Sequence, residues 1–254
     1  MKNKQYKTKD FKKYPHLTNP SIELCNNAWP EFMLHDTMVD KYWSGLFDRF
    51  MEFQFVMTGD GDDNILTAGN CVPINWDGPP EELPQGGIDW ILPTAIDESL
   101  DPKHDGKNLF AIQIVVNPEM KGRHLSGEAV KSMIEIGRLA GCKSLYAPVR
   151  PNKKHEYPLI PMDEYVGWKD DDGLPFDPWM RVHARLGAET VSVCHKSMHI
   201  PGTISQWESW TGMKFPSSGQ YIIPGALVPV QMDIEKDLGL YIEPNVWMRH
   251  KIKT

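Results

Sequence analysis
Six consecutive residues, Lys121-Gly122-Arg123-His124-Leu125-Ser126, place two cations, an imidazole, a hydroxyl and a glycine between an apolar run and an amphipathic one. Leu109 to Val116 is almost wholly apolar and rich in β-branched residues, the pattern of a central strand. Pro118 cannot donate to a sheet ladder and ends it. Leu125, Ala129, Met133, Ile136 and Ala140 then recur at helical spacing and mark one buried face, with Gly141 as the C-cap. The first N–H groups of such a helix have no partner within it, and its dipole favours negative charge at that end. A strand, a cationic loop and a helix N-terminus in succession therefore read as a phosphate-binding site. An ordinary strand–helix connection is the competing reading.

The run Val116-Asn117-Pro118 followed by Lys121 to Ser126 resembles the acyl-CoA-binding motif of the GCN5-related N-acetyltransferase (GNAT) superfamily, V-x-P and then [Q/R]-x-x-G-x-[G/A]. Three positions depart from it. Lys121 replaces Gln or Arg, Ser126 replaces Gly or Ala, and His124 stands at the central glycine. Because His124 carries a Cβ, ordinary helical dihedrals are expected there. A second stretch, Asp177-Pro-Trp-Met-Arg-Val-His183-Ala-Arg-Leu-Gly187-Ala188, resembles the family's Y-x-x-x-G-F helix end, with His183 at the tyrosine position. It also looks like GNAT-like proteins that load acyl-carrier proteins or decarboxylate malonyl-CoA.

The resemblance implies an α/β fold. Its central mixed, mostly antiparallel sheet has a splayed parallel strand pair and helices on both faces. It implies acetyl-CoA or another acyl-CoA as cosubstrate, with the pyrophosphate on residues 121–126. The pantetheine would lie against free backbone groups near Val115, Val116 and the Pro148–Arg150 segment. His183 would protonate the departing thiolate or stabilise charge on the thioester, since imidazole titrates in the useful range; a core histidine is the alternative. The acceptor is a small-molecule amine or a carrier-protein thiol. A non-catalytic acyl-CoA-binding module is a further possibility. Arg181 and Arg185 are expected to form salt bridges to a loop or the substrate. Trp29, Glu31, Asn70, Asn245 and Trp247 are candidates for substrate contacts, although most tryptophans should serve as core or lid packing.

Elements must position these residues. Val39, Tyr42, Trp43, Leu46, Phe47 and Phe50 form a helical stripe. Phe53–Thr58 and Asn64–Asn75 read as a hairpin. Residues 78–107 and 150–177 are Pro-rich insertions, the first with a short helix near Ile88–Ala95 and both placed as lids. Lys143–Val149 is the neighbouring parallel strand. Three β-rich stretches close the chain, near Thr190–Ile200, Tyr221–Met232 and Leu240–Met248. Ser205-x-x-Glu208 resembles a capping box. Residues 1–20 read as a basic arm, with six Lys against one Asp in the first fourteen, and 21–254 as a single domain.

Composition narrows the class. Hydrophobic content of 41% and charged content of 24% are ordinary, and agree with a soluble globular enzyme without choosing one. A net charge of −7 argues against a nucleic-acid groove. No run approaches the roughly 18 apolar residues of a membrane span, and the first residues lack a signal-peptide core. The four scattered cysteines read as reduced thiols of a cytoplasmic protein, a monomer or homodimer. No metal is expected. Asp60-x-Asp62-x-Asn64 mimics a calcium loop but has Ile65 where glycine is needed. His195 and His199 would lie roughly 13 Å apart on a strand. In calorimetry, acetyl-CoA, malonyl-CoA and CoA should bind with about micromolar affinity, and Lys121→Glu/Arg123→Glu should abolish it. Absence of binding would reduce the loop to scaffold.

Overall fold
The computed structural model describes residues 6–59, 61–100, 106–120 and 122–253. The chain begins with strand β1 (Lys7–Asp10), helix α1 (Thr18–Asn26) and helix α2 (Thr37–Arg49). The hairpin of β2 (Gln54–Thr58) and β3 (Ile65–Ile74) follows, then α3 (Gly87–Glu98), β4 (Asn108–Val116), α4 (Leu125–Leu139) and β5 (Ser144–Val149). After α5 (Met162–Val166) and α6 (Pro178–Arg185) come β6 (Glu189–Gly202), α7 (Ile204–Thr211), β7 (Gly219–Tyr221), β8 (Val230–Asp233) and β9 (Leu238–Lys251). The strands form one nine-stranded sheet in the order β1-β2-β3-β4-β5-β9-β8-β7, with β6 also pairing β9. Among the described strands only β4–β5 pair in parallel.

Period-two alternation divides the core between the two faces of the sheet. Phe110, Tyr146 and Trp247 pack with Leu46 of α2 and Ile91 and Leu92 of α3. Their neighbours Leu109, Leu145 and Met248 pack with Ala129 and Met133 of α4 and Met180 of α6. Every residue of β3 is buried, as its mid-sheet position demands. Two aspartates set the helix starts. Asp36 Oδ1 accepts from the Met38 and Val39 N–H groups at the head of α2, each at 2.9 Å. Asp177 does the same for α6 through Trp179 and Met180, with Pro178 in the first turn.

The parallel pairing is short. The register is Leu109↔Leu145 and Phe110↔Tyr146, after which the two strands separate. Each stays paired on its outer side: β4 to β3 as far as Thr67↔Val116, and β5 to β9 as far as Val149↔Val246. A bulge drives them apart. Asn70 pairs with Gln113 and Cys71 with Ala111, so Ile112 is an extra residue in β4, and such an insertion bends its strand. Pro148 in β5 has no N–H to offer across the gap.

Several expectations are corrected. Residues 7–20 are not a free arm. Lys7–Asp10 pairs with β2, Phe11 is fully buried and Thr18 opens α1. Lysine on this edge strand is both a solvating residue and an ion-pair donor, with Lys9 Nζ 2.7 Å from Asp63. Residues 1–5 of the expected arm, and Asp60 of the hairpin turn, lie outside the described residues. Tyr221–Met232 is not one strand but β7 and β8 joined by the turn-forming Pro224-Gly225. The cap of α7 is Thr203 with Gln206, two residues before the predicted Ser205, because Thr203 holds the extended backbone a cap requires. His124 adopts φ +58, left-handed and not helical. It occupies the N-cap position of α4, without a side-chain hydrogen bond, where the family pattern has glycine, and histidine is among the side chains that tolerate this conformation.

One glycine of β3 is required by close approach. A Cβ on Gly69 would stand 2.3 Å from the buried Phe55 ring. Gly69→Ala should lower stability by about 1–3 kcal/mol, read as a reduced urea midpoint with unchanged slope; an unaltered midpoint would show that the ring yields.

Candidate active site
The gap between β4 and β5 opens into a cavity of about 770 Å³ bordered by both layers of helices. On one face Ser126, Val130 and Met133 of α4 and Trp179 and His183 of α6 line it. On the other, Ser21 and Cys25 of α1, Trp29, and Asp40, Trp43 and Phe47 of α2 do so. Between them stand Ala111 to Ile114 and Val116 of β4, and Leu145 and Ala147 to Val149 of β5. Backbone groups of separated strands need partners, and an extended ligand can supply them.

At the α4 end the helix start bears no side-chain cap. Gly122 is left-handed at φ +79, and Gly122, Arg123 and His124 are exposed. This leaves the first-turn N–H groups and the dipole facing an exposed cationic loop, the arrangement that holds a phosphate. Ser126 borders the cavity, whereas Leu125 is buried beneath α4. Lys121 lies outside the described residues.

His183 is buried on α6 and borders the cavity. Its Nδ1 is 2.9 Å from Nε2 of His250 on β9, and the edge of Trp179 packs on its ring at 4.4 Å between centroids. Its Nε2 is buried and makes no hydrogen bond with the described residues. Arg181, one turn from the loop, pairs with Asp170, which answers the expectation of a loop salt bridge.

Two polar networks line the cavity between its ends. Trp29 Nε1 donates to Gln113 Oε1 (2.9 Å), Gln113 Nε2 to Asn70 Oδ1 (2.8 Å), and Asn70 Nδ2 to Gln54 Oε1 (2.9 Å). Beyond the end of β5, Arg150 Nε reaches both oxygens of Glu243, at 3.0 and 2.9 Å, and Asn245 Nδ2 donates to the same carboxylate at 3.1 Å.

Of the expected substrate contacts, Trp29, Asn70 and Asn245 border the cavity. Glu31 does not: it is exposed and paired with His35 at 3.1 Å. Trp247 of β9, opposite Pro148, is buried in the core against Phe110, its Nε1 donating to the Pro84 carbonyl at 3.0 Å. Val116 borders the cavity, but Val115 points away, into a cluster with Phe11, Leu17 and Cys25. Sequence reasoning missed Gln113, Glu243 and the side chain of Arg150, having placed only the backbone of the Pro148–Arg150 segment at the cleft. Gln113 did carry a signal, as the one amide inside the apolar run of β4. Arg150 and Glu243 meet across 93 residues, with no local pattern to announce it.

No family model matches the chain. A curated relative, the arginine N-acetyltransferase avaD of Aspergillus versicolor, is 32% identical over 264 aligned positions, spanning 94% of this chain and 90% of the relative. Among solved structures, the loading GNAT-like domain of CurA from Lyngbya majuscula superposes with a TM-score of 0.63 at 17% identity, covering 98% of both chains. The GNAT-like decarboxylase GphF, in complex with isobutyryl-CoA, gives 0.56 at 15% identity over 98% of this chain and all of its own. These two likenesses are of fold.

The histidine pair has a consequence for acid stability. Burial disfavours the charged form of both rings, moving His183 down to about 3, with a smaller push from His250, and His250 itself down to about 4. Both are neutral at pH 7 when folded, while in the unfolded chain each takes up a proton as pH falls through about 6.5. Stability contributed by the neutral pair is therefore full above that value and is lost as pH falls towards the folded values. Urea midpoints should decline from pH 6.5 to 4, with up to about 1.4 kcal/mol per pH unit from each ring. His183→Gln should flatten the decline; an equal slope in wild type and variant would contradict it.

Proposed function
The chain belongs to the GCN5-related N-acetyltransferase superfamily and is an acyl-CoA-dependent acyltransferase, and from that premise we propose that it moves the acetyl group of acetyl-CoA onto the amine of a basic amino acid, L-arginine first. The observation that carries this reading is the cavity through the β4–β5 gap, which borders α4 on one face of the sheet and α1 and α2 on the other. A thioester entering from the α4 side and an amine from the α2 side would meet between the strands. Such placement replaces a bimolecular encounter by a positioned one.

In this reading Lys121, Gly122, Arg123 and His124, with the first-turn N–H groups of Leu125 and Ser126, hold the CoA pyrophosphate. The pantetheine arm pairs with backbone groups of β4 about Val115 and Val116. The amine nitrogen bonds to the thioester carbon, the C–S bond breaks, CoA leaves as thiolate, and the amine proton passes to solvent. His183 acts as a neutral imidazole, because burial keeps the imidazolium unpopulated at pH 7. If His250 Nε2–H donates into His183 Nδ1, the His183 proton sits on Nε2 and can hydrogen-bond the charge leaving on sulfur. The relative's acceptor, arginine, supports the substrate. So does Asp40, a carboxylate bordering the cavity on the α2 side.

With acetyl-CoA and L-arginine, free thiol should appear in step with acetylated arginine by mass spectrometry. His183→Ala should reduce kcat by about 10²-fold with little change in the KM for acetyl-CoA. Full turnover by a folded His183→Ala protein would remove that residue from the chemistry. Carbon dioxide release from malonyl-CoA, acyl loading of a carrier protein, or tight CoA binding with no thiol release for any amine would each overturn the acetyl-transfer reading.

A further inference from the structure
Resting on the reading that the acceptor is an amino acid, we propose that Arg150 is the residue that selects for the acceptor's carboxylate. Arg150 directly follows β5 at the open end of the gap and borders the cavity. Its guanidinium is held on three sides. Nε meets both Glu243 oxygens, Nη2 donates to the Gly225 carbonyl at 2.6 Å, and Cζ lies over the Trp29 ring, 5.9 Å from its centre. Nη1 makes no hydrogen bond with the described residues. A guanidinium fork with its far end free matches a carboxylate.

Glu243 is not available as a base or as an anchor for an ammonium group. It is fully buried. Its Oε1 accepts from Arg150 and Asn245, and its Oε2 from Arg150 and from the Tyr241 hydroxyl at 2.9 Å. With each oxygen doubly engaged, the carboxylate acts through Arg150, fixing where the fork points.

The neighbouring amides have a fixed polarity. Gln54 Nε2 donates to the Phe50 and Cys71 backbone carbonyls, at 2.8 and 2.9 Å. Carbonyls only accept, so Gln54 Oε1 must accept from Asn70, Asn70 Oδ1 from Gln113, and Gln113 Oε1 from the Trp29 indole, which only donates. Each amide of the two cavity residues thus spends one N–H and one oxygen lone pair within the chain and keeps one of each, and the Gln113 side chain also faces the Cys25 thiol. Trp29 joins this chain to Arg150. Arg150, which has donors and no acceptor, is what makes this wall of the cavity suit an anion.

The experiment compares L-arginine with agmatine, which lacks only the carboxylate, in initial-rate acetylation and in calorimetric binding in the presence of CoA, using the full-length protein. Wild type should favour L-arginine by about 10²-fold or more in kcat/KM, chiefly through KM. Arg150→Lys should shrink that preference to about threefold or less, because an ammonium cannot hold Glu243 and also present a planar fork. Retained CoA affinity will report that the variant is folded. Equal use of the two amines by wild type overturns the assignment, and this arm requires no variant. So does an Arg150→Lys protein that binds CoA and keeps the full preference. If no amine is acetylated, the acetyl-transfer reading fails. Calorimetry then still decides: tighter binding of L-arginine than of agmatine upholds Arg150, and equal or absent binding overturns it.

Discussion

The structure depends on two strands that pair for two residues and then part. Had β4 and β5 continued their ladder past Phe110 and Tyr146, the sheet would be closed and the helices on its two faces would have no route to each other. The separation is sustained because each strand keeps its outer partner: β3 holds β4 and β9 holds β5 to their ends. The inner backbone groups alone lose their bonds. Unpaired backbone is costly when dry, so the gap favours water or a ligand with amides of its own. The bulge at Ile112 and the missing N–H of Pro148 are local devices that make the parting definite.

Around this gap, polar groups are buried in networks that set direction more than strength. A buried ion pair such as Arg150–Glu243 adds little net stability once desolvation is counted, and breaking it by removing one partner is damaging. What it supplies is a fixed place for a cation. The aspartate caps work similarly at longer range. Asp177 caps α6 through Oδ1 while its Oδ2 accepts from the Lys153 N–H and the Tyr165 hydroxyl, at 2.8 and 3.0 Å. One carboxylate thus ties the insertion after β5 to the helix that carries His183.

Much of this was legible before the structure. The strand–loop–helix of 109–141 and the α2 stripe follow from period and from breaker residues, which act locally. The parallel pair and the helix bearing His183 followed from the family resemblance as well. The failures share a cause: they depend on what the chain meets in three dimensions. Lys7–Asp10 reads as a solvated basic tract, and only the free edge of β2 makes it a strand. His124 reads as helical because a Cβ disfavours positive φ, yet the turn into α4 imposes it. Glu31 and Trp247 have suitable chemistry for a substrate site, but one faces solvent and the other packs into the core on Phe110. The His183–His250 pair spans 67 residues, and neither ring's neighbour is visible in its own segment.

The start of α4 is left unfinished by the polypeptide. No side chain caps it, and the residue at its threshold sits in a conformation that most side chains avoid. An anion bound there would complete the helix, and the ligand would then be a structural part of the folded state. Because α4 packs through Ala129 and Met133 against the strands that bound the gap, ordering its first turn also steadies the wall beside His183. Occupancy at one end of the cavity would thereby be linked to rigidity in the middle. The signature would be amide hydrogen exchange that slows along α4 from its N-terminus, far from any contact with the acceptor.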